Sequence, residues 1–183
     1  FLASRFSDAH STTLFSATLR PDNYYRDLLG LPPEAHWIDV ASPFAAEQLS
    51  VRVVSNLSTR YQHRESSLAP ICRLMAAQYQ REPGNYLAFF SSYAYLEQVR
   101  EQFSALHPNI PTRAQNRSMN ESDRQGFLDT FTLLSEGIGF AVLGGAFAEG
   151  IDLPGKRLIG AFIAFFGLPQ INEVNEEVKA RMQ

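Results

Sequence analysis

Residues 144–152, GGAFAEGID, set two carboxylates, Glu149 and Asp152, three positions apart in a glycine-rich turn. The residues before them, 138–143, read as an apolar strand. The free N–H groups of such a turn can therefore face an anion or a sugar. The run is not a phosphate loop of the GxxxxGK[ST] type, which occurs nowhere in the 183 residues, and it does not fit GxGxxG. Taken singly, it reads as ordinary turn chemistry with solvated acids.

Two further groups could carry chemistry. Residues 89–93, FFSSY, bring the hydroxyls of Ser91, Ser92 and Tyr93 to a second strand end, where a helix opens. Hydroxyls and free N–H groups there suit phosphate contacts, and a serine there equally suits a helix cap. Arg113, Arg117 and Arg124 lie close to Gln115 and Asn116 in a polar stretch, a pattern that fits a nucleic-acid backbone or a solvated surface. The four histidines, His10, His36, His63 and His107, lack metal-ligand spacing. The lone Cys72 excludes an internal disulfide and reads as a small apolar residue on a buried helix face.

The elements that must hold these groups follow from periodicity. Apolar residues at Leu68, Ile71, Cys72, Leu74, Met75 and Tyr79 give a helix over 66–81, stopped by Pro83 and Gly84. A compact strand follows over 86–90. A helix over 94–106 has the face Tyr95, Leu96, Val99, Phe103 and Leu106, and a short strand comes after it. Residues 120–123, NESD, open a helix with the face Phe127, Leu128, Phe131 and Leu134. Strands over 138–143 and 158–166 and a helix over 173–182 complete the order. Alternation of this kind specifies an α/β fold, a mostly parallel sheet flanked by helices on both faces. Its ligands belong at the carboxyl ends of the strands. Upstream, residues 13–19, 37–40 and 49–57 read as strands, and Asp22 as the cap of a helix over 23–29 ended by Gly30.

Composition narrows the class. The chain is 45% hydrophobic and 12% aromatic, as a folded globular protein is, and its net charge of −3 carries no global basic signature. Nucleic-acid contact must come from a local patch. The apolar run 158–168 is too short to span a bilayer and is broken by Gly160 and Gly167. No secretory or transit signal is visible, so a soluble, cytoplasmic protein is expected. The first residue is Phe and the last helix has no capping signal, so the chain is expected to be a fragment.

Together and in this order, SATL at 16–19, Ser-Pro-Phe at 42–44, LAFFSSYAYLEQV at 87–99 and GGAFAEGIDLPGKRLIG at 144–160 resemble the DinG/XPD family of superfamily-two DNA helicases. The resemblance covers nearly the whole chain, and EGIDLPG after a strand is its most specific part. It implies a RecA-like second motor domain over 58–183, ending before the family's last motif. Residues 1–57 would hold the end of the first motor domain or the inter-domain link.

The resemblance also implies roles. Ser16, Ala17 and Thr18 would couple nucleotide state to domain movement. Ser91, Ser92 and Tyr93, with Gln115 and the basic residues Arg113 and Arg117, would face single-stranded DNA. Glu149, Gly150 and Asp152 would line the nucleotide side of an inter-domain cleft. The intact enzyme would use ATP and Mg²⁺. Its phosphate-loop lysine, its magnesium-binding acids and its arginine finger would lie outside these residues, so no catalytic residue is expected here and the piece alone should neither hydrolyse ATP nor unwind DNA. An iron–sulfur cluster would need four cysteines and is not expected in this stretch, and no metal ligands are expected. The alternative is a non-catalytic nucleic-acid or protein binding module on the same RecA-like fold. A third reading, a small-molecule enzyme with Glu149 and Asp152 as acid and base, has no nucleophile or metal ligand to support it.

Overall fold

The computed structural model describes residues 3–144, 147, 151–165, 173, 176, 177 and 180. The chain forms two compact units, Phe1–Arg52 and Val53–Gln183.

The first unit holds two helices, α1 (Ala3–Ser7) and α2 (Asp22–Leu29), and a 3₁₀ turn at Ala46–Gln48. Helix α2 starts one residue earlier than its sequence indicates. Pro21 is its cap, and Asp22 sits in the first turn, where a carboxylate favours the helix dipole. Gly30, at φ 63° and ψ 42°, ends it in the left-handed conformation. The Arg26 guanidinium donates to the Ala35 carbonyl at 2.9 Å and lies 5.6 Å from the Trp37 ring centre, and Arg20 pairs with Asp39 at 2.7 Å.

The strands expected at 13–19, 37–40 and 49–57 are absent. Most of their apolar side chains face solvent, Phe15 91% and Val40 86% exposed, while Trp37 is half-buried and Leu57 packs on the core of the second unit. A strand exists through its ladder and a continuous packed face, and these segments have no ladder.

The second unit is the α/β layer structure. A 3₁₀ turn at Tyr61–His63 leads into α3 (Arg64–Arg81). Then follow β1 (Asn85–Phe90), α4 (Tyr93–Leu106), β2 (Thr112–Ala114), α5 (Glu121–Asp129), β3 (Gly137–Val142), a 3₁₀ turn at Gly155–Arg157 and β4 (Gly160–Ile163). All pairings are parallel and the strand order is β2-β3-β1-β4. Asn85 pairs with Gly137, Tyr86 with Gly160 and Thr112 with Ile138. Residues 173, 176, 177 and 180 are helical, and the rest of the helix expected over 173–182 lies outside the described residues. Among the described residues no helix is long and apolar enough to cross a membrane.

Alternation along β1 and β3 builds two cores. Tyr86, Ala88 and Phe90 with Ile138 and Phe140 face α3 and α4, where Cys72, Met75, Leu96, Val99 and Phe103 fill the layer. Phe90 and Phe140 stack with ring centres 5.8 Å apart, and Phe103 meets Phe140 at 6.0 Å. Burial pushes the Cys72 thiol up to about 11.

Leu87 and Ala141 face the other way, onto Phe127, Phe131, Phe147 and Leu153. Helix α4 carries the chain outward from β1 past β3 to β2 on the first face, and α5 returns it to β3 on the second. Reversal of direction with reversal of face keeps both crossovers right-handed. Helix α5 stops at Asp129, so Phe131 is buried from the loop and Leu134, expected on the helix face, is 96% exposed.

Gly139 is the tight point of the second layer. A Cβ there would lie 2.5 Å from Phe131 Cζ, 3.0 Å from Phe127 Cζ and 3.1 Å from Leu87 Cδ2. Gly139→Ala is therefore expected to overpack the layer and lower stability by about 1–3 kcal/mol, read from urea unfolding monitored by circular dichroism. An unchanged midpoint would show that the three side chains give way freely.

Candidate nucleic-acid interface

The carboxyl ends of β1, β2 and β3 gather most of the polar groups singled out in the sequence. Ser92, in extended backbone, caps α4: its hydroxyl accepts from the Tyr95 N–H at 3.3 Å. Cap and ligand contact are compatible roles, since the hydroxyl keeps its proton to donate. Ser91 accepts a 2.8 Å hydrogen bond from Arg64 Nη2.

Arg64 was not visible as a site residue in the sequence. It opens α3, and its guanidinium carbon lies 5.1 Å from the Tyr61 ring centre and 5.0 Å from that of Tyr95. Tyr95 is held in turn by a 2.6 Å hydrogen bond between its hydroxyl and that of Ser67. Two aromatic neighbours favour a planar cation and fix where it points. Arg64 Nε has no hydrogen-bond partner among the described residues. The only sequence signal was an aromatic three residues ahead of an arginine at a helix start, which is common in folded chains.

Tyr93 and Gln115 meet across the sheet end. Gln115 is 3% exposed. Its Nε2 donates to the Tyr93 hydroxyl at 2.8 Å, and its Oε1 accepts from the Val142 N–H at 2.9 Å. The Gln115 backbone N–H donates to the Phe140 carbonyl at 2.8 Å, continuing the β2–β3 ladder one residue further. Arg117 lies 5.3 Å from the Tyr93 ring centre. Its loop is shaped by Asn116, whose side-chain oxygen accepts from the Ser118 N–H at 2.9 Å.

The arginine cluster of the sequence separates in space. Arg113 does not join Tyr93. Its guanidinium donates to the Thr130 carbonyl at 2.6 Å and the Glu136 carbonyl at 2.9 Å, and lies 4.9 Å from the Phe131 ring centre. Burial there lowers its pKa, and the nearby Tyr79 opposes that shift. Arg124 pairs with Glu121 at 3.2 Å on α5.

The glycine-rich turn is described in part. Gly144, at φ 79°, takes the chain off the end of β3 in a conformation that favours glycine. Glu149 and Gly150 lie outside the described residues. Asp152 is exposed between the partly buried Ile151 and the buried Leu153, both packed in the α5 layer. In the first unit, the Thr18 N–H donates to Ser16 Oγ at 3.2 Å, so residues 16–18 form a small hydroxyl turn with Ala17 at its centre. Among the described residues no group of three or more His, Cys, Asp or Glu side chains could hold a metal ion.

A parallel sheet in the order β2-β3-β1-β4, with helices on both faces and its polar groups at the carboxyl edge, defines an α/β domain of the RecA-like kind. A family model described as the helicase C-terminal domain matches residues 75–183, more than half of the chain, and the chain belongs to that family. Membership makes it part of a helicase, a nucleic-acid-binding ATPase in its intact form.

The guanidinium of Arg113 is held by the Thr130 and Glu136 carbonyls, contacts that tie β2 to the loop after α5. Arg113→Met is expected to cost about 1–3 kcal/mol of stability by urea unfolding. Affinity for a single-stranded oligonucleotide should change by no more than about threefold. A larger loss of affinity in a variant that remains folded would place Arg113 on the nucleic-acid track.

Proposed function

We propose that this chain is the second motor domain of a DinG/XPD-type DNA helicase, forming one wall of an inter-domain ATP cleft and part of a single-stranded DNA track. The observation that carries this reading is the grouping of Arg64, Ser91, Tyr93 and Arg117 at one sheet edge. Two guanidinium groups and two hydroxyls match the phosphates of a strand. The Tyr93 ring offers a base a stacking surface of no particular sequence preference, which suits an enzyme that must move along DNA. The chain's net charge of −3 fits one half of a cleft better than a stand-alone binder.

In this reading Glu149, Gly150 and Asp152 stand on the nucleotide side of the cleft, and Ser16, Ala17 and Thr18 couple nucleotide state to movement. An exposed carboxylate such as Asp152 can accept hydrogen bonds from ribose hydroxyls or orient an arginine. ATP and Mg²⁺ would be held mainly by the first motor domain of the same protein, where positioning and charge stabilisation carry phosphoryl transfer. The cellular role that goes with such a motor is unwinding during DNA repair in the cytoplasm.

Fluorescence anisotropy with a labelled oligo-dT tests the reading. Binding should be weak and should fall as salt rises, and Arg117→Ala should reduce the slope of log K against log salt by roughly 0.7, the share of one phosphate contact. Tyr93→Ala should cost about 1–3 kcal/mol of binding. The 183-residue chain, lacking a phosphate loop, should show no DNA-stimulated ATP hydrolysis. Salt-independent binding, or turnover of ATP, would overturn the assignment.

A further inference from the structure

Gln115 was expected to touch DNA, yet its side chain is 3% exposed and both ends of its amide are occupied. The direction of those bonds carries information. The Val142 backbone N–H can only donate, so the amide oxygen must face it, which leaves the NH₂ group facing Tyr93. An NH₂ group can only donate, so the Tyr93 hydroxyl is the acceptor in that 2.8 Å bond. The Tyr93 proton is therefore free to point elsewhere. Its base is rigid on both sides: the Gln115 backbone is pinned to the Phe140 carbonyl, and Leu143 donates to the Phe90 carbonyl at 3.0 Å.

We propose that Gln115 is a positioning residue that turns the Tyr93 hydroxyl proton outward, toward a phosphate oxygen of a bound single strand. The proposal rests on the reading of this edge as a single-stranded DNA track. Three groups form one directional chain, from the Val142 N–H through the Gln115 amide to the Tyr93 O–H. Bonds aligned head to tail polarise one another, so the outward hydroxyl is a better donor than a free phenol. Arg117, beside the ring, adds positive charge next to the same acceptor. Gln115 thus acts on DNA without touching it.

A double-mutant cycle reads this directly. Kd for oligo-dT is measured by anisotropy for the wild-type chain, Gln115→Met, Tyr93→Phe and the double variant, with thermal unfolding recorded for each. Gln115→Met and Tyr93→Phe should each weaken binding by roughly fivefold, the worth of one hydrogen bond. The double variant should be no weaker than either, because Gln115 has no route to DNA once the hydroxyl is gone. A Gln115 that serves the fold alone would give losses that multiply, or a lower unfolding temperature with unchanged Kd, and either result overturns the proposal.

Gln115→Glu supplies a second arm should the methionine variant fold poorly. Its carboxylate can accept from both Val142 and Tyr93, which preserves the fold but captures the tyrosine proton. It should weaken binding in the wild-type background by more than in the Tyr93→Phe background, and equal losses in both would sink the idea. If the wild-type chain itself shows no salt-sensitive binding, the reading of the track fails as well. Binding by wild type without coupling between residues 93 and 115 removes the proposal alone.

Discussion

The parallel pairing of β1 with β3, buried on both faces, is the constraint on which the rest of the second unit depends. Phe90 and Phe140 stack across that pair, and each is also a wall for the helices above, through Tyr95 and Phe103. Because the two strands are in fixed register, their ends are too. Ser91, Val142 and the groups tied to them inherit positions set by aromatic packing some residues away. A polar site at a sheet edge needs little scaffolding of its own when the strands beneath it cannot slide.

The second unit was legible because its segments are buried. The helix and strand order from residue 64 onward follows from apolar spacing, and the structure bears it out through β4, although α5 ends at Asp129, short of Leu134, and β4 covers only Gly160–Ile163 of the strand expected over 158–166. The RecA-like parallel sheet, with helices on both faces, is as expected. The compact apolar runs at 86–90 and 138–142 become strands packed on both faces. The segments before residue 58 misled the same reasoning. Ile38, Val40, Val51 and Val53 alternate like strand residues and stay exposed, because alternation records a preference that only a neighbouring ladder can realise.

Site residues were legible by type and less so by role. Arg113 and Arg117 are four apart in sequence, yet one is tied to carbonyls beside Phe131 and the other lies on Tyr93. Nothing in their spacing separates them, since the difference is that Arg113 sits within β2 and Arg117 in the turn beyond it. Gln115 was recognisable as a polar residue of interest. Its burial was not, because the groups that enclose its amide, the Tyr93 hydroxyl and the Val142 N–H, come from other parts of the chain. Arg64 carries no mark in the sequence because its company joins Tyr61, beside it, to Ser91 and Tyr95 at the distant start of α4.

Between β3 and β4, Phe147, Ile151, Leu153 and Leu158 pack into the layer that Phe127 and Phe131 fill. Asp152 stands between two of these anchors. Its carboxylate can swing about its own bonds, but its backbone cannot travel without withdrawing apolar side chains from a packed interior. Any large displacement of this acid must therefore come from the whole second unit turning as a body. Asp152 is in this sense a cleat bolted to the hull by Ile151 and Leu153, and a load on it is carried by the packed layer beneath.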